Sequence, residues 1–100
     1  MILENELQPI RDWAKEKGIF EKGDPKTQYV KLQEEAGELA KAILNNDKEE
    51  IIDALGDCTI VLTNLAELCG YSLEDCINSA YSVISNRKGQ MKNGTFVKNK

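Results

Sequence analysis

The residues best suited to chemistry in this sequence are carboxylates at helical spacing. Glu35 and Glu38 are three apart, and Asp53 and Asp57 are four apart, so the members of each pair are neighbours on one helix surface. If the two segments pack antiparallel through a short turn, these carboxylates converge and repel one another unless a cation lies between them. Oxygen ligands without His or Cys select Mg²⁺ or Mn²⁺ rather than zinc. The spacing therefore predicts a divalent-cation site.

Two further acidic residues flank this predicted site. Glu34 precedes Glu35 and points further outward, and Glu50 lies one turn before Asp53. Glu50 has a second explanation, because Asp47 and Glu50 together have the spacing of a capping box at a helix start. A solvated acidic helix face is the alternative for the whole set. Two ions about 4 Å apart in such a site would activate a water molecule and neutralise phosphate oxygens in a displacement at phosphorus.

The composition of the 100-residue chain excludes several kinds of site. The absence of histidine excludes Ser-His-Asp and Cys-His catalysis and His-ligated zinc within the chain. With 17 acidic and 13 basic residues, the net charge of −4 argues against a nucleic-acid polymer as partner. A folded chain of this size exposes roughly 5,700 Å² and has room for one core, so one domain over residues 1–100 is expected.

Signals for location are few. Residues 1–6 contain two glutamates and no apolar run, so no signal peptide is predicted. No apolar stretch approaches the roughly 18 residues that a membrane span needs. The three cysteines include no CxxC pair and lie in apolar helical contexts, which predicts small buried thiols in a reducing compartment. A cytoplasmic location without a membrane partner is the expectation.

Periodicity and capping signals predict an all-α subunit resembling a four-helix bundle. The predicted helices cover residues 3–17, 24–44, 47–69 and 72–86. Asp24-Pro25 combines an N-cap with a proline at the first helical position, and Asp47 and Ser72 are predicted to cap the next two helices. Residues 19–23 are predicted to form a loop between the first two helices.

The third predicted helix is apolar over more than one face. Its main apolar stripe consists of Ile51, Ile52, Leu55, Cys58, Leu62, Leu65, Ala66 and Cys69. A second stripe begins acidic and ends apolar, and consists of Glu50, Asp53, Asp57, Val61, Asn64 and Leu68. A helix that is apolar nearly all round is usually buried between others. The acidic half of the second stripe is therefore predicted to face a cleft or an assembly interface.

Gly37 and Gly56 lie in the middle of predicted helices. A glycine there costs about 1 kcal/mol relative to alanine, which favours a packing or functional reason such as the close approach of another helix or a bound group.

Three runs of the sequence resemble the MazG-like nucleotide pyrophosphohydrolases of the all-α NTP pyrophosphatase superfamily. They are Lys31-Leu32-Gln33-Glu34-Glu35-Ala36-Gly37-Glu38-Leu39, Leu55-Gly56-Asp57 and Asn64-Leu65-Ala66. The resemblance covers most of the chain, and a Glu-Glu-x-x-Glu run with a downstream Asp is a specific motif. It implies a Mg²⁺-dependent hydrolase that cleaves a (d)NTP to a (d)NMP and pyrophosphate, with subunits assembled as a homodimer or homotetramer.

The resemblance also implies roles for individual residues. Glu35, Glu38 and Asp57 match the metal ligands of the family, and Glu34 matches the neighbouring acidic residue that holds or activates water. The implied catalytic residues are thus Glu34, Glu35 and Glu38.

One position departs from the family pattern. The family has a glutamate three residues before the aspartate that matches Asp57, and this chain has Ala54 there. We expect Asp53 to supply the missing oxygen, with Glu50 as the alternative. The departure leaves open the number of ions and the strength of the activity.

Basic residues in the tail are candidates for phosphate binding. Residues 1–86 carry a net charge of −9 and residues 87–100 a net charge of +5. The basic residues of the tail are Arg87, Lys88, Lys92, Lys98 and Lys100. Arg87 and Lys88, with Lys92 and Asn93 behind them, are predicted to contact phosphate; the alternative is a solvated terminus. The tail also contains the turn signal Asn93-Gly94 and a short extended segment over residues 95–97.

Two residues nearer the N-terminus have alternative roles. Lys31 lies one turn before Glu35 and either forms a helix ion pair or reaches a phosphate. Trp13, the single tryptophan, either packs in the core or an interface or stacks on a nucleobase. For the whole chain, the alternative to an enzyme is a non-catalytic helical module for oligomerisation or regulation that retains the fold.

Overall fold

The computed structural model describes residues 1–99 as five helices followed by a β-hairpin. The elements are α1 (Gln8–Glu16), α2 (Ile19–Lys22), α3 (Pro25–Leu44), α4 (Lys48–Leu68), α5 (Leu73–Ile84), β1 (Gly89–Lys92) and β2 (Thr95–Lys98). The prediction of an all-α fold is confirmed, with the hairpin as its only sheet in this part of the chain. Lys100, the last basic residue of the predicted tail, lies outside the described residues.

The centre of the fold is the pair of long helices α3 and α4, which lie against each other along their length. Their starts follow the predicted capping signals. The side chain of Asp24 accepts a hydrogen bond from the Thr27 amide at 2.9 Å, and Asp47 accepts one from the Glu50 amide at 3.2 Å. The chain reverses at Asn46, whose φ of 52° is in the left-handed region that asparagine tolerates. This short turn makes the two helices antiparallel, which is the condition on which the predicted cation site depends.

The N-terminal segment differs from the prediction of a helix over residues 3–17, because α1 begins only at Gln8. The residues before it use side-chain partners on α5 in place of helical hydrogen bonds. The Leu3 amide donates to Asn78 Oδ1 at 2.8 Å, and Asn78 Nδ2 donates to the Leu3 carbonyl at 2.7 Å. The predicted loop over residues 19–23 is also wrong in part, since Ile19–Lys22 form the short helix α2.

A buried ion pair joins α1 to the first turn of α5. Arg11 donates to both carboxylate oxygens of Glu74, at 2.7 and 2.6 Å, and the Leu7 amide donates to Glu74 at 3.0 Å. Arg11 is 7% exposed and Glu74 is fully buried. These hydrogen bonds to the charged carboxylate, chiefly from Arg11, lower the pKa of Glu74 to about 2. The pair holds α1 in a fixed place beside α4 and α5.

The second stripe of α4 is buried only in its apolar half, and part of the main apolar stripe is open. Val61 and Asn64 of the second stripe are buried, as is the adjacent Ala54. Ile52 and Leu55 of the main stripe are more than half exposed. The acidic half of the second stripe lines a cleft within the chain, which is one of the two surroundings predicted for it. The described chain thus leaves part of the main stripe in contact with solvent.

The described chain is extended and leaves much apolar surface uncovered. Its radius of gyration is 15.9 Å, against about 13 Å for a compact domain of 100 residues. Its accessible surface is 7691 Å², against the roughly 5,700 Å² that its size predicts. The buried apolar residues are Ala14, Ala42, Ala54, Val61 and Leu73. Most of the large apolar side chains of α3, α4 and α5 thus remain in contact with solvent.

The prediction for the cysteines is wrong in part, and close packing of another helix of this chain does not explain the two mid-helix glycines. Cys58 is half-buried, but Cys69 and Cys76 are exposed free thiols, so the prediction of buried thiols is wrong for the latter two. A Cβ atom added to Gly37 or Gly56 would meet no atom within 4 Å. No neighbour within the described chain therefore requires these two glycines.

The tail forms a β-hairpin with a two-residue turn instead of a single extended segment. Asn93 and Gly94 both have positive φ, 50° and 84°, which is the conformation of the tight turn that joins antiparallel strands. Met91 pairs with Phe96 across the strands, and all eight strand residues are exposed. The hairpin packs against none of the five helices. No helix within residues 1–99 has the length and apolar content of a membrane span.

Candidate active site

Five carboxylates line one cleft of about 230 Å³ between α3 and α4. Glu35 and Glu38 come from α3, and Glu50, Asp53 and Asp57 come from α4, with buried Ala54 as the sixth lining residue. We call this the carboxylate cleft. The antiparallel packing of two helices, each with acidic residues one turn apart, is what brings the five side chains to one place.

The carboxylate cleft has the chemistry of a hard-cation site, because its polar lining is made only of carboxylates. No basic residue lines it. Among residues 1–99, however, no group of three or more Asp, Glu, Cys or His side chains is arranged to hold a metal ion. The chemistry of the donor set thus fits Mg²⁺ or Mn²⁺, although the carboxylates are not grouped for coordination in this arrangement.

All the predicted metal ligands line this one cleft, but Glu34, the predicted water-activating residue, lies apart from them. Glu34 is exposed and lines neither the carboxylate cleft nor the clefts beside it. Glu35 is held on the α4 side of α3, where it is half-buried.

The Glu50 carboxylate takes no part in capping helix α4. Its backbone amide bonds to Asp47, but the Asp47 amide donates to the Ala42 carbonyl at 3.0 Å and not to the Glu50 carboxylate. The Glu50 side chain instead lines the carboxylate cleft and a neighbouring cleft of about 250 Å³, which Glu38 and Lys41 also line. Asp53 and Glu50 therefore both lie beside Ala54, where the family has its glutamate.

Lys31 forms the predicted helix ion pair with Glu35, at 4.0 Å between Nζ and Oε1. Because the Lys31 side chain is 54% exposed, this pair contributes little to stability. Lys31 is the one basic residue among those that line the next cleft along the helices.

That second cleft, of about 350 Å³, lies between α1, α2, α3 and α4. Its lining residues are Trp13, Ile19, Gln28, Lys31, Glu35, Asp57, Ile60, Val61 and Asn64. We call it the Trp13 cleft. Glu35 and Asp57 line both it and the carboxylate cleft, so the two are continuous. Trp13 is 47% exposed and forms part of the wall of this cleft, so it is not a core residue of the described chain.

The predicted phosphate-binding residues of the tail do not approach the carboxylates of their own chain. Arg87 and Lys88 follow α5, and Lys92 and Asn93 lie in the hairpin, which contacts no helix. None of the four lines the carboxylate cleft or the Trp13 cleft. Their role stays a prediction.

Sequence reasoning overlooked three residues of these clefts as parts of a site. Gln28 and Asn64 line the Trp13 cleft, and Lys41 lines the cleft beside Glu38. The signal for Asn64 was present, since it lies seven residues after Asp57 and thus two turns further along the same helix face. Gln28 likewise lies seven residues before Glu35.

Comparison with known proteins identifies relatives of this chain. The sequence profile of the MazG nucleotide pyrophosphohydrolase domain matches residues 24–91. The chain is also 35% identical, over 65 residues, to an uncharacterized 18.2 kDa protein in the rep-hol intergenic region of Haemophilus phage HP1. That alignment covers 65% of this chain but only 40% of the phage protein. No solved structure is a significant match.

Proposed function

Because the chain belongs to the MazG nucleotide pyrophosphohydrolase family, we propose that it is a Mg²⁺-dependent hydrolase that cleaves a (d)NTP to a (d)NMP and pyrophosphate. The observation that supports this activity is the carboxylate cleft, where five acidic side chains lie together without a basic residue in the lining. Such a group is electrostatically unfavourable unless a cation binds.

The acidic residues of the carboxylate cleft have two roles in this proposal. Glu35, Glu38 and Asp57 hold the cation, and Asp53 supplies the oxygen that Ala54 lacks, with Glu50 as the alternative. Family resemblance assigns the positioning of the attacking water to Glu34, which lies outside the cleft. A divalent cation bound there would neutralise phosphate oxygens and lower the pKa of a water molecule, and Mn²⁺ would substitute for Mg²⁺.

The substrate is a polyanion, so the acidic cleft needs basic residues nearby in addition to the cation. Lys31 lies at the junction of the two clefts through its contact with Glu35. The remaining cations of the proposal, Arg87, Lys88 and Lys92, belong to the tail that packs on no helix of its own chain.

We propose that a second copy of the chain brings basic residues to the acidic cleft and covers the exposed apolar surface. The accessible surface exceeds the expectation for this size by about 2,000 Å², whereas a standard interface buries about 800 Å² on each partner. The exposed main stripe of α4 offers apolar contact area to that copy. The basic hairpin of one subunit would then lie beside the acidic cleft of the other, in a homodimer or homotetramer.

The activity is tested by pyrophosphate release from a panel of ribo- and deoxyribonucleoside triphosphates, with and without Mg²⁺. Glu38→Gln is expected to lower turnover by about a hundredfold or more, because it removes a ligand charge, with the helical circular dichroism signal unchanged. Glu49→Gln is the matched control, since Glu49 is exposed on α4 and lines none of the clefts described here. Full turnover in Glu38→Gln would refute the ligand assignment.

The non-catalytic module predicts a different outcome. It expects no pyrophosphate from any triphosphate and no Mg²⁺-dependent change in melting temperature, although the protein is folded. That combined result would overturn the proposed activity.

The role of the tail is tested by mixing two variants. Glu38→Gln lacks a cleft residue, and Arg87→Ala combined with Lys88→Ala lacks the basic residues before the hairpin. If each site takes its cleft from one subunit and its tail from another, mixed subunits recover about one quarter of wild-type turnover. Mixed dimers without any recovery would show that the tail does not act on a second copy.

A further inference from the structure

Asn64 carries the one buried side-chain polar atom among residues 1–99 that has no hydrogen-bond partner. The residue is 2% exposed, and its Oδ1 atom accepts no hydrogen bond. Buried polar groups in folded proteins almost always have a partner, and leaving one unpaired is unfavourable. An apolar residue would avoid this penalty, so an amide at this position calls for a partner from outside the chain.

The surroundings of Asn64 restrict what that partner is. Its side chain lines the Trp13 cleft, whose volume of about 350 Å³ is within the range of small-molecule sites. Ile60 and Val61 make part of the lining apolar, and Trp13 contributes an aromatic ring. The partner is therefore a flat, largely apolar group that carries a hydrogen-bond donor.

Neither phosphate nor the cation meets this description. A fully ionised phosphate oxygen has no hydrogen to donate, and a cation would be drawn to the carboxylates of Glu35 and Asp57 before it reached a neutral amide. A nucleobase does meet it, because every base has an N–H group on its edge and a face that stacks on an aromatic ring.

We propose that the Trp13 cleft binds the base of the nucleotide, with Asn64 Oδ1 accepting a hydrogen bond from a base N–H and Trp13 lying against the ring. Gln28, which lines the same cleft, is placed to contact the remaining edge. This assignment rests on the proposed function, because the shared residues Glu35 and Asp57 put the phosphates at the carboxylate cleft and the base beyond them. Asn64 then determines specificity without taking part in the hydrolysis.

The single tryptophan gives a direct test that does not depend on activity. Trp13 fluorescence is recorded while the full chain is titrated with nucleoside monophosphates and, separately, with ribose 5-phosphate, which has no base. At least one nucleotide is expected to quench the fluorescence in a saturable way, whereas ribose 5-phosphate is expected to leave it unchanged. Equal responses to both would overturn the base assignment.

Asn64→Leu tests the role of the amide. It removes the acceptor, so nucleotide affinity is expected to fall about tenfold or more, while the melting temperature does not fall because no internal hydrogen bond is lost. Asn64→Ser, which is smaller, repeats the test if leucine disturbs the packing. Asn86→Leu is the matched control, since Asn86 is exposed beyond α5 and lines neither cleft. Unchanged affinity in both Asn64 variants would overturn the proposal in favour of an internal water molecule.

The two proposals fail in different ways. If fluorescence shows base-dependent binding but no triphosphate releases pyrophosphate, the proposed hydrolysis is wrong and the base site stands. If pyrophosphate is released but the Asn64 variants keep wild-type affinity and selectivity, the hydrolysis stands and the base site is wrong.

Discussion

The buried ion pair between Arg11 and Glu74 allows the effect of one substitution on the free energy of unfolding to be calculated. Glu74 is fully buried and accepts three hydrogen bonds, two from Arg11 and one from the Leu7 amide. Glu74→Gln removes the negative charge and leaves the Arg11 guanidinium buried without its counterion. Breaking a buried pair in this way typically costs about 3–5 kcal/mol.

The lowered pKa of Glu74 gives a second value, of similar size, for the contribution of this ion pair to the free energy of unfolding. The pKa of Glu74 falls from 4.5 to about 2 on folding, mainly because of the hydrogen bonds from Arg11. Because the pKa of Glu74 is lower in the folded state than in the unfolded state, its ionised carboxylate stabilises the fold fully above pH 4.5. This stabilisation is lost as the pH falls toward 2. At about 1.4 kcal/mol per pKa unit, the contribution at neutral pH is about 3 kcal/mol.

Urea unfolding at fixed protein concentration measures both effects. At pH 7 we expect the free energy of unfolding of Glu74→Gln to be lower than that of the wild type by about 3 kcal/mol or more. The difference is expected to shrink steadily below pH 4.5. Glu16→Gln is the matched control, since Glu16 is exposed at the end of α1, and we expect it to stay within about 0.5 kcal/mol of the wild type.

Two results would contradict this reasoning. A loss of less than about 1 kcal/mol in Glu74→Gln would mean that the pair is hydrated and contributes as a surface pair does. A difference that stays constant between pH 7 and pH 2 would mean that the pKa of Glu74 is not lowered by folding. Because the pair fixes α1, we also expect its loss to change the fluorescence of Trp13, two residues further along the helix.

Three further substitutions test the open surface, the hairpin and the departure from the family pattern. Gly56→Ala is expected to raise the free energy of unfolding by about 1 kcal/mol, because its Cβ meets no atom of the chain; a lower melting temperature would instead indicate that a second copy packs there. Gly94→Val places a branched side chain at φ 84°, which destabilises the turn of the hairpin. Amide hydrogen exchange is therefore expected to become faster in residues 89–98 while the helical circular dichroism signal is unchanged. Hairpin amides that exchange as slowly as in the wild type would contradict this. Ala54→Glu adds a carboxylate to the cleft, and we expect a lower melting temperature without metal and a larger upward shift with Mg²⁺ than in the wild type. An equal Mg²⁺ shift in the two proteins would show that this position does not face the cation.

The starts of α3, α4 and α5 could be predicted from the sequence because their causes are local. Asp24, Asp47 and Ser72 accept hydrogen bonds from amides three residues further on, and such contacts depend only on neighbouring residues. The two-residue turn Asn93-Gly94 has the same kind of local cause. The start of α1 could not be predicted, because the partners of the preceding residues are Glu74 and Asn78, far away in the sequence.

The carboxylates of the candidate site could be predicted for the same reason, and their surroundings could not. Spacing alone places Glu35 with Glu38 and Asp53 with Asp57 on helix surfaces. Whether Glu50 serves as a cap or faces the cleft depends on the Asp47 amide, which bonds to the Ala42 carbonyl of the preceding helix.

The sequence by itself determined the order of the four longer helices, the starts of α3, α4 and α5, and the spacing of the acidic residues, because periodicity, caps and turn residues act over a few positions. Only the tertiary structure decided which residues of the two stripes of α4 are buried, because both stripes contain apolar residues and their burial depends on the helices that pack on α4. It also decided that Asn64 is buried without a partner beside Trp13, and that the basic tail lies away from its own cleft. These arrangements bring together residues that are far apart in the sequence. Their free energy depends on long-range packing, which local sequence patterns do not predict.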